Sequence, residues 1–132
     1  MWKSRSLSVA GLATLTLLLP TTASAEGSFS SYLRGVGEDY ESRIWEDRNV
    51  DSTNGFVYIG SCRAAGESRA LSNVVIDVAR QRTGPDATVK TGKTCNGASV
   101  FFGDVGSGKY YFEIEDINVA SRMDADQVRV EY

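Results

Sequence analysis

The stretch DRNVDSTNG, Asp47 to Gly55, alternates oxygen-bearing side chains at Asp47, Asn49 and Asp51. A calcium loop of the EF-hand type begins with that spacing, then needs glycine at its sixth position and a bidentate glutamate at its twelfth. Counted from Asp47, those positions hold Ser52 and Tyr58, so the pattern stops after three donors. The same residues have a more local chemistry. Asp and Asn side chains accept hydrogen bonds from backbone N–H groups two residues on and so shape turns. An Asx-rich turn is therefore expected here. A calcium site on Asp47, Asn49 and Asp51 is the weaker alternative, strengthened if the fold brings in a second acidic loop from Asp116, Asp124 and Asp126.

Histidine is absent from the chain. Its absence removes Ser-His-Asp and Cys-His nucleophilic catalysis, the common zinc hydrolase ligand sets and the usual near-neutral proton carrier. Lys90, Lys93 and Lys109 do not stand in a Ser-x-x-Lys pattern. The enzymatic option left is a carboxylate pair for glycoside hydrolysis, drawn from Glu41, Glu46, Asp47, Glu113 and Glu115. Glu113 and Glu115 share one side of a strand, a spacing of roughly 6.5–7 Å that suits inversion. Ordinary exposed strand faces give the same spacing, and a small domain has little room for a substrate cleft. Catalysis is not the expected activity.

Binding suits the composition better. Trp45, Arg43 beside it and Tyr111 are the candidate contact residues, because planar rings can stack on sugars or anchor a protein interface. Each has a duller role open to it: core for Trp45, a covered strand face for Tyr111, and a ring or Asp47 as partner for Arg43. The phrase GKYYF after Gly106-Ser107-Gly108 resembles extracellular immunoglobulin-like sandwiches, in which a glycine turn precedes a Tyr-x-Phe or Tyr-x-Cys strand. The resemblance spans about ten residues and lacks the paired cysteine and buried tryptophan at that family's spacing. It implies general architecture and no functional residue.

These residues must be positioned by short strands. Residues 1–25 read as a secretory signal peptide, with Lys3 and Arg5, an apolar run Leu7 to Leu19, and a small-x-small site at Ala23-Ser24-Ala25. That run is shorter than the roughly 20 residues a membrane span needs. Residues 26–132 then form a single mature domain, in which 12 basic residues face 17 acidic ones for a net charge of −5. That balance argues against nucleic acid and against adsorption to anionic membrane. In an exported protein, Cys62 and Cys95 are expected to pair.

GFVYIGSC, NVVIDVAR, ATVKTGKTC, ASVFFG, KYYFEIED and QVRVEY alternate or are β-branched. On KYYFEIED, Tyr110, Phe112 and Ile114 are expected inward and Tyr111, Glu113 and Glu115 outward. Phe29, Leu33, Val36, Tyr40 and Ile44 recur at helical spacing across Gly35 and Gly37, so irregular chain or a short helix is expected before a strand near Glu41–Trp45. Ala64 to Ser72 reads as an exposed loop, and residues 117–126 as a loop or single helical turn. The expected fold is all-β, a small antiparallel β-sandwich, with a small barrel as alternative. The expected function is a secreted, non-catalytic interaction protein for an extracellular protein or glycan, without a cofactor. Its rivals are a protease inhibitor presenting residues 64–72, a small carboxylate glycosidase and a structural surface component.

Overall fold

The computed structural model describes residues 27–132, so the leader expected over residues 1–25 lies outside the described residues. Eight strands form two antiparallel four-stranded sheets, sandwich-like and not closed into a barrel. The first sheet has the order β1 (Ser28–Gly37), β8 (Arg122–Glu131), β3 (Gly55–Ala64), β6 (Val100–Gly103). The second has the order β2 (Trp45–Asp47), β7 (Gly108–Asp116), β4 (Val74–Arg80), β5 (Ala87–Thr94). Only β4 and β5, joined through Thr83-Gly84-Pro85-Asp86, are successive strands that pair with each other; every other connection passes between sheets. The last two strands of an immunoglobulin domain share a sheet, whereas β7 and β8 lie in different ones, so the likeness is one of general architecture.

Period-2 alternation builds the core. Val57 and Ile59 of β3, Ile76 and Val78 of β4, Phe112 and Ile114 of β7 and Val130 of β8 are sealed between the sheets. At one end of the sandwich Trp45, 2% exposed, sits among Phe29, Phe102, Tyr110 and Tyr132, with ring centroids 6.0–6.4 Å away. The Tyr110 hydroxyl donates to the Gly106 carbonyl and closes the turn that leads into β7.

The free edge of β3 is covered piece by piece. Strand β6 pairs with Gly55 to Val57. At Ile59 the neighbour is the end of β5: the Thr94 hydroxyl accepts from the Ile59 N–H and donates to the Ile59 carbonyl, each at 3.1 Å, and the Cys95 N–H donates to the same carbonyl. The Cys62–Cys95 disulfide, with Cα atoms 5.7 Å apart, ties the sheets together at this point. Residues 69–71 then fold back, with Leu71 N–H donating to Cys62 O and Ala64 N–H to Arg69 O. The loop read as exposed is thus a short return whose tip, Gly66 to Ala70, faces solvent while Leu71 is buried.

Three expectations are corrected. The helical spacing near the N-terminus belongs to a strand. Pairing of β1 with β8 shifts register between Ser31 and Leu33 and again between Leu33 and Val36, and Gly35 adopts φ +59°. Extra residues at bulges stretch the inward repeat from two to three or four, which is how Leu33 and Val36 both reach the core. The segment read as a loop before QVRVEY is the first half of β8, where Met123 and Ala125 are buried. The strand expected over Glu41–Trp45 is displaced: β2 starts at Trp45, and Glu41 makes only an isolated bridge to Glu113.

Candidate functional site

The outward face of the first sheet gathers the side chains best placed to meet a partner. On β3, Val57 and Ile59 point inward, so Phe56 and Tyr58 point out. Ser61 has φ +53°, and past it the inward residues become Cys62 and Ala64, which turns Arg63 outward. Strand β8 changes sides at the same level, from Met123 and Ala125 inward to Val128 and Val130 inward, while its register with β3 is kept. The switch puts Asp124 and Asp126 at one end of the outer face and Gln127, Arg129 and Glu131 along the rest.

Three zones result. At one end Arg34 and Arg63 both bind Asp126, at 2.9 and 3.0 Å. Asp124 accepts from the Gly35 and Gly66 amides at 2.7 and 3.3 Å. The Gly35 amide bond holds the Asp124 carboxyl below the usual range, and the Arg63 hydrogen bond does the same for Asp126. In the middle, Tyr58 lies opposite Arg129 and Gly60 opposite Gln127. A groove of about 320 Å³ opens there, lined by Ser30, Tyr58, Asp126, Gln127 and Arg129 among others. At the far end the Phe56 and Phe101 rings lie 5.7 Å apart, and Phe101 is 53% exposed.

The outer face of the second sheet is acidic. It carries Asp77, Glu113 and Glu115, with Glu41 bridged to Glu113, and Lys93 and Lys109 as its basic residues. Burial raises the Glu113 carboxyl, aided by the charge of Glu115. The Glu115 carboxyl is raised by its hydrogen bond to Asp77 and then by the Asp77 charge. Glu113 and Glu115 share one sheet face and do not oppose one another across a cleft.

The residues singled out for binding fall elsewhere. Trp45 is core. Tyr111 is 6% exposed, and its hydroxyl donates to Asp86 of the β4–β5 turn at 2.7 Å. Tyr111 points outward as read, but that turn covers it and takes up its polar tip. Arg43 does stack on a ring, with its guanidinium carbon 4.5 Å from the Phe29 centroid; the ring is the protein's own. Asp47 and Asp51 accept from the Asn49 and Thr53 amides at 2.7 and 2.9 Å, so DRNVDSTNG is a pair of Asx turns. Asp47 pairs with Gly108 at the start of β7, while Asp124 lies near the start of β8, at the opposite end of the sandwich. The two acidic loops do not meet. Among the described residues no group of three or more Cys, Asp or Glu side chains is arranged to hold a metal ion, and no helix is long and apolar enough to cross a membrane.

Phe56, Tyr58 and Phe101 were legible as strand residues, and the alternation around Val57 and Ile59 already put Phe56 and Tyr58 on one side. Which side stays open is a property of the sheet pair. Set against known proteins, the chain matches no family model, no curated protein and no solved structure.

Proposed function

We propose that this is a secreted, non-catalytic binding protein that uses the outer face of the first sheet as its recognition surface. The carrying observation is the open aromatic row: Phe101, half exposed and packed against Phe56 with the two rings tilted by 59°, next to the Tyr58 groove. Large exposed rings grouped on a rigid sheet are the side chains from which interface anchors are drawn, and the disulfide and the inter-sheet Thr94 bonds hold that sheet in place. Export through a leader cleaved after Ala25 fits a covalently braced domain of this size. The lack of histidine and the shared-face arrangement of Glu113 and Glu115 favour binding over catalysis.

The test is retention on surface fractions of producing and neighbouring cells, with intact mass confirming cleavage after Ala25. Wild type and a Lys90→Glu/Lys93→Glu variant, altered on the exposed edge strand of the second sheet, are expected to be retained equally. Phe101→Ser and Tyr58→Ala are expected to be lost from the fraction. Loss with the lysine variant and retention with the aromatic ones would place recognition elsewhere.

A further inference from the structure

Tyr58 lies along the sheet instead of standing from it. A Cβ built on Gly60 would come within 2.6 Å of the Tyr58 hydroxyl oxygen and 2.8–2.9 Å of its ring carbons, so the ring rests on the bare backbone of Gly60. Glycine is needed there for close approach, since any side chain would lift the ring. Half-buried in this way, Tyr58 is pressed to the sheet on one side and borders the groove on the other. Around it stand short hydrogen-bonding groups: the Ser30 hydroxyl, the Gln127 amide, and Arg129, which reaches Ser30 at 3.5 Å and Glu131 at 3.4 Å. Two residues along β3, roughly 7 Å away, the Phe56–Phe101 pair offers a second apolar platform on the same side.

The charges of this face are turned on one another. Its strands hold four arginines, Arg34, Arg63, Arg122 and Arg129, against the three carboxylates Asp124, Asp126 and Glu131. Arg34 and Arg63 are bound to Asp126, Arg129 to Glu131, and Arg122 donates to the Gly35 carbonyl. A strongly charged ligand would have to break these pairs, whereas a neutral one leaves them intact. Ring platforms next to hydroxyl, amide and guanidinium groups match a ligand with apolar flat faces and hydroxyl edges, because a few placed polar groups orient what an apolar surface holds. Building on the recognition face proposed above, we infer that the ligand is a neutral oligosaccharide laid along β3, with one unit on Tyr58 and another on the Phe56–Phe101 pair.

The experiment titrates the ¹⁵N-labelled exported protein with neutral hexasaccharides of β-1,4-glucose, β-1,4-N-acetylglucosamine, β-1,4-mannose and α-1,4-glucose, and with a hexauronate for comparison. At least one neutral sugar is expected to give saturable shifts centred on the Tyr58, Gly60, Gln127 and Arg129 amides. These shifts should persist in about 0.5 M salt, where exposed charges are screened within a few ångströms. Tyr58→Ala should weaken binding roughly tenfold, the scale of one lost aromatic contact. Tyr58→Phe, which keeps the ring, should stay within about threefold by the same reasoning. Gly60→Ala, which displaces the ring without removing it, should weaken binding as Tyr58→Ala does. Phe101→Ser changes an exposed side chain and keeps the test valid if either β3 variant melts early.

The assignment is overturned if no neutral sugar gives saturable shifts up to about 10 mM, a limit of roughly 3 kcal/mol of binding. It is equally overturned by shifts that centre elsewhere, by salt-sensitive preference for the hexauronate, or by a Tyr58→Ala variant that binds like wild type. If sugars fail while Phe101→Ser still abolishes retention on cell surfaces, the recognition face stands and the carbohydrate assignment falls. If retention is also indifferent to Phe101 and Tyr58, both fall.

Discussion

Tyr58 and Tyr111 both occupy outward positions on strands of the sandwich, and their surroundings give them different work. Tyr58 lies over a glycine beside a groove. Tyr111 is closed in, and its hydroxyl is held by Asp86. That bond is the first cause, ahead of burial, of a Tyr111 phenol pushed up to about 12, and it lowers the Asp86 carboxyl in return. A raised phenol contributes stability that is present below its unfolded value, near pH 10, and is lost as pH rises through the folded value. Ultraviolet titration is therefore expected to show one phenol ionising near pH 12, absent from Tyr111→Phe. The same variant should melt a few degrees lower at neutral pH. If Tyr111→Phe instead removes a phenol that ionises near the ordinary value of about 10, the Tyr111 hydroxyl is not held by Asp86.

Among the elements, β3 depends most on its neighbours. It is central in the first sheet, yet the strand on one side, β6, covers only Gly55 to Val57. Thr94, Cys95 and residues 69–71 satisfy what β6 leaves open. The disulfide fixes this arrangement by joining β3 to the residue after β5. Closing a loop of this length restricts the unfolded chain by about 4 kcal/mol. A Cys62→Ala/Cys95→Ala variant is expected to melt lower by roughly 15 °C or more, on the scaling of melting temperature with stability for domains near 100 residues. Calorimetry of the exported protein measures this, and a shift of only a few degrees would mean that the Thr94 and Cys95 backbone bonds hold the sheets without the bridge. Edges elsewhere are blunted by other means: β1 by two bulges, β2 by its three-residue length, and β5 by Lys90 and Lys93.

The whole molecule is electrostatically two-faced. One outer face has its charges paired, and the other collects Asp77, Glu113 and Glu115. The raised Glu113 and Glu115 carboxyls contribute stability that is full below their unfolded values, near pH 4.3, and lost as pH rises through the folded ones. The lowered Asp86, Asp124 and Asp126 carboxyls act oppositely: their contribution is present above about pH 3.9 and lost as pH falls through their folded values. The melting temperature is thus expected to rise as pH is lowered through the folded values of Glu113 and Glu115 toward about 4.3, and to drop as pH falls below about 3.9. Glu113→Gln and Glu115→Gln should each raise the melting temperature at pH 7 and flatten the acid-side rise. A melting temperature that falls steadily from pH 8 to pH 5 would contradict this account.

Alternation and residue type determined the strand cores from Gly55 through QVRVEY and the inward set Tyr110, Phe112 and Ile114, because side-chain direction along a regular strand is a local property; the pairing of Cys62 with Cys95 followed from there being two cysteines in a chain read as exported. Tertiary structure decided what alternation cannot carry. Bulges in β1 and the change of sides at Ser61 break the period of two, since their extra or left-handed residues are accommodated only against a partner strand. Residue type put Tyr111 and Trp45 forward as contacts, but a turn distant in sequence covers one and four rings enclose the other. On the first sheet Tyr32 and Phe101 are open and Phe56 and Tyr58 half-buried, because exposure is settled by which sheet face the connections leave bare, and that depends on how the two sheets stack.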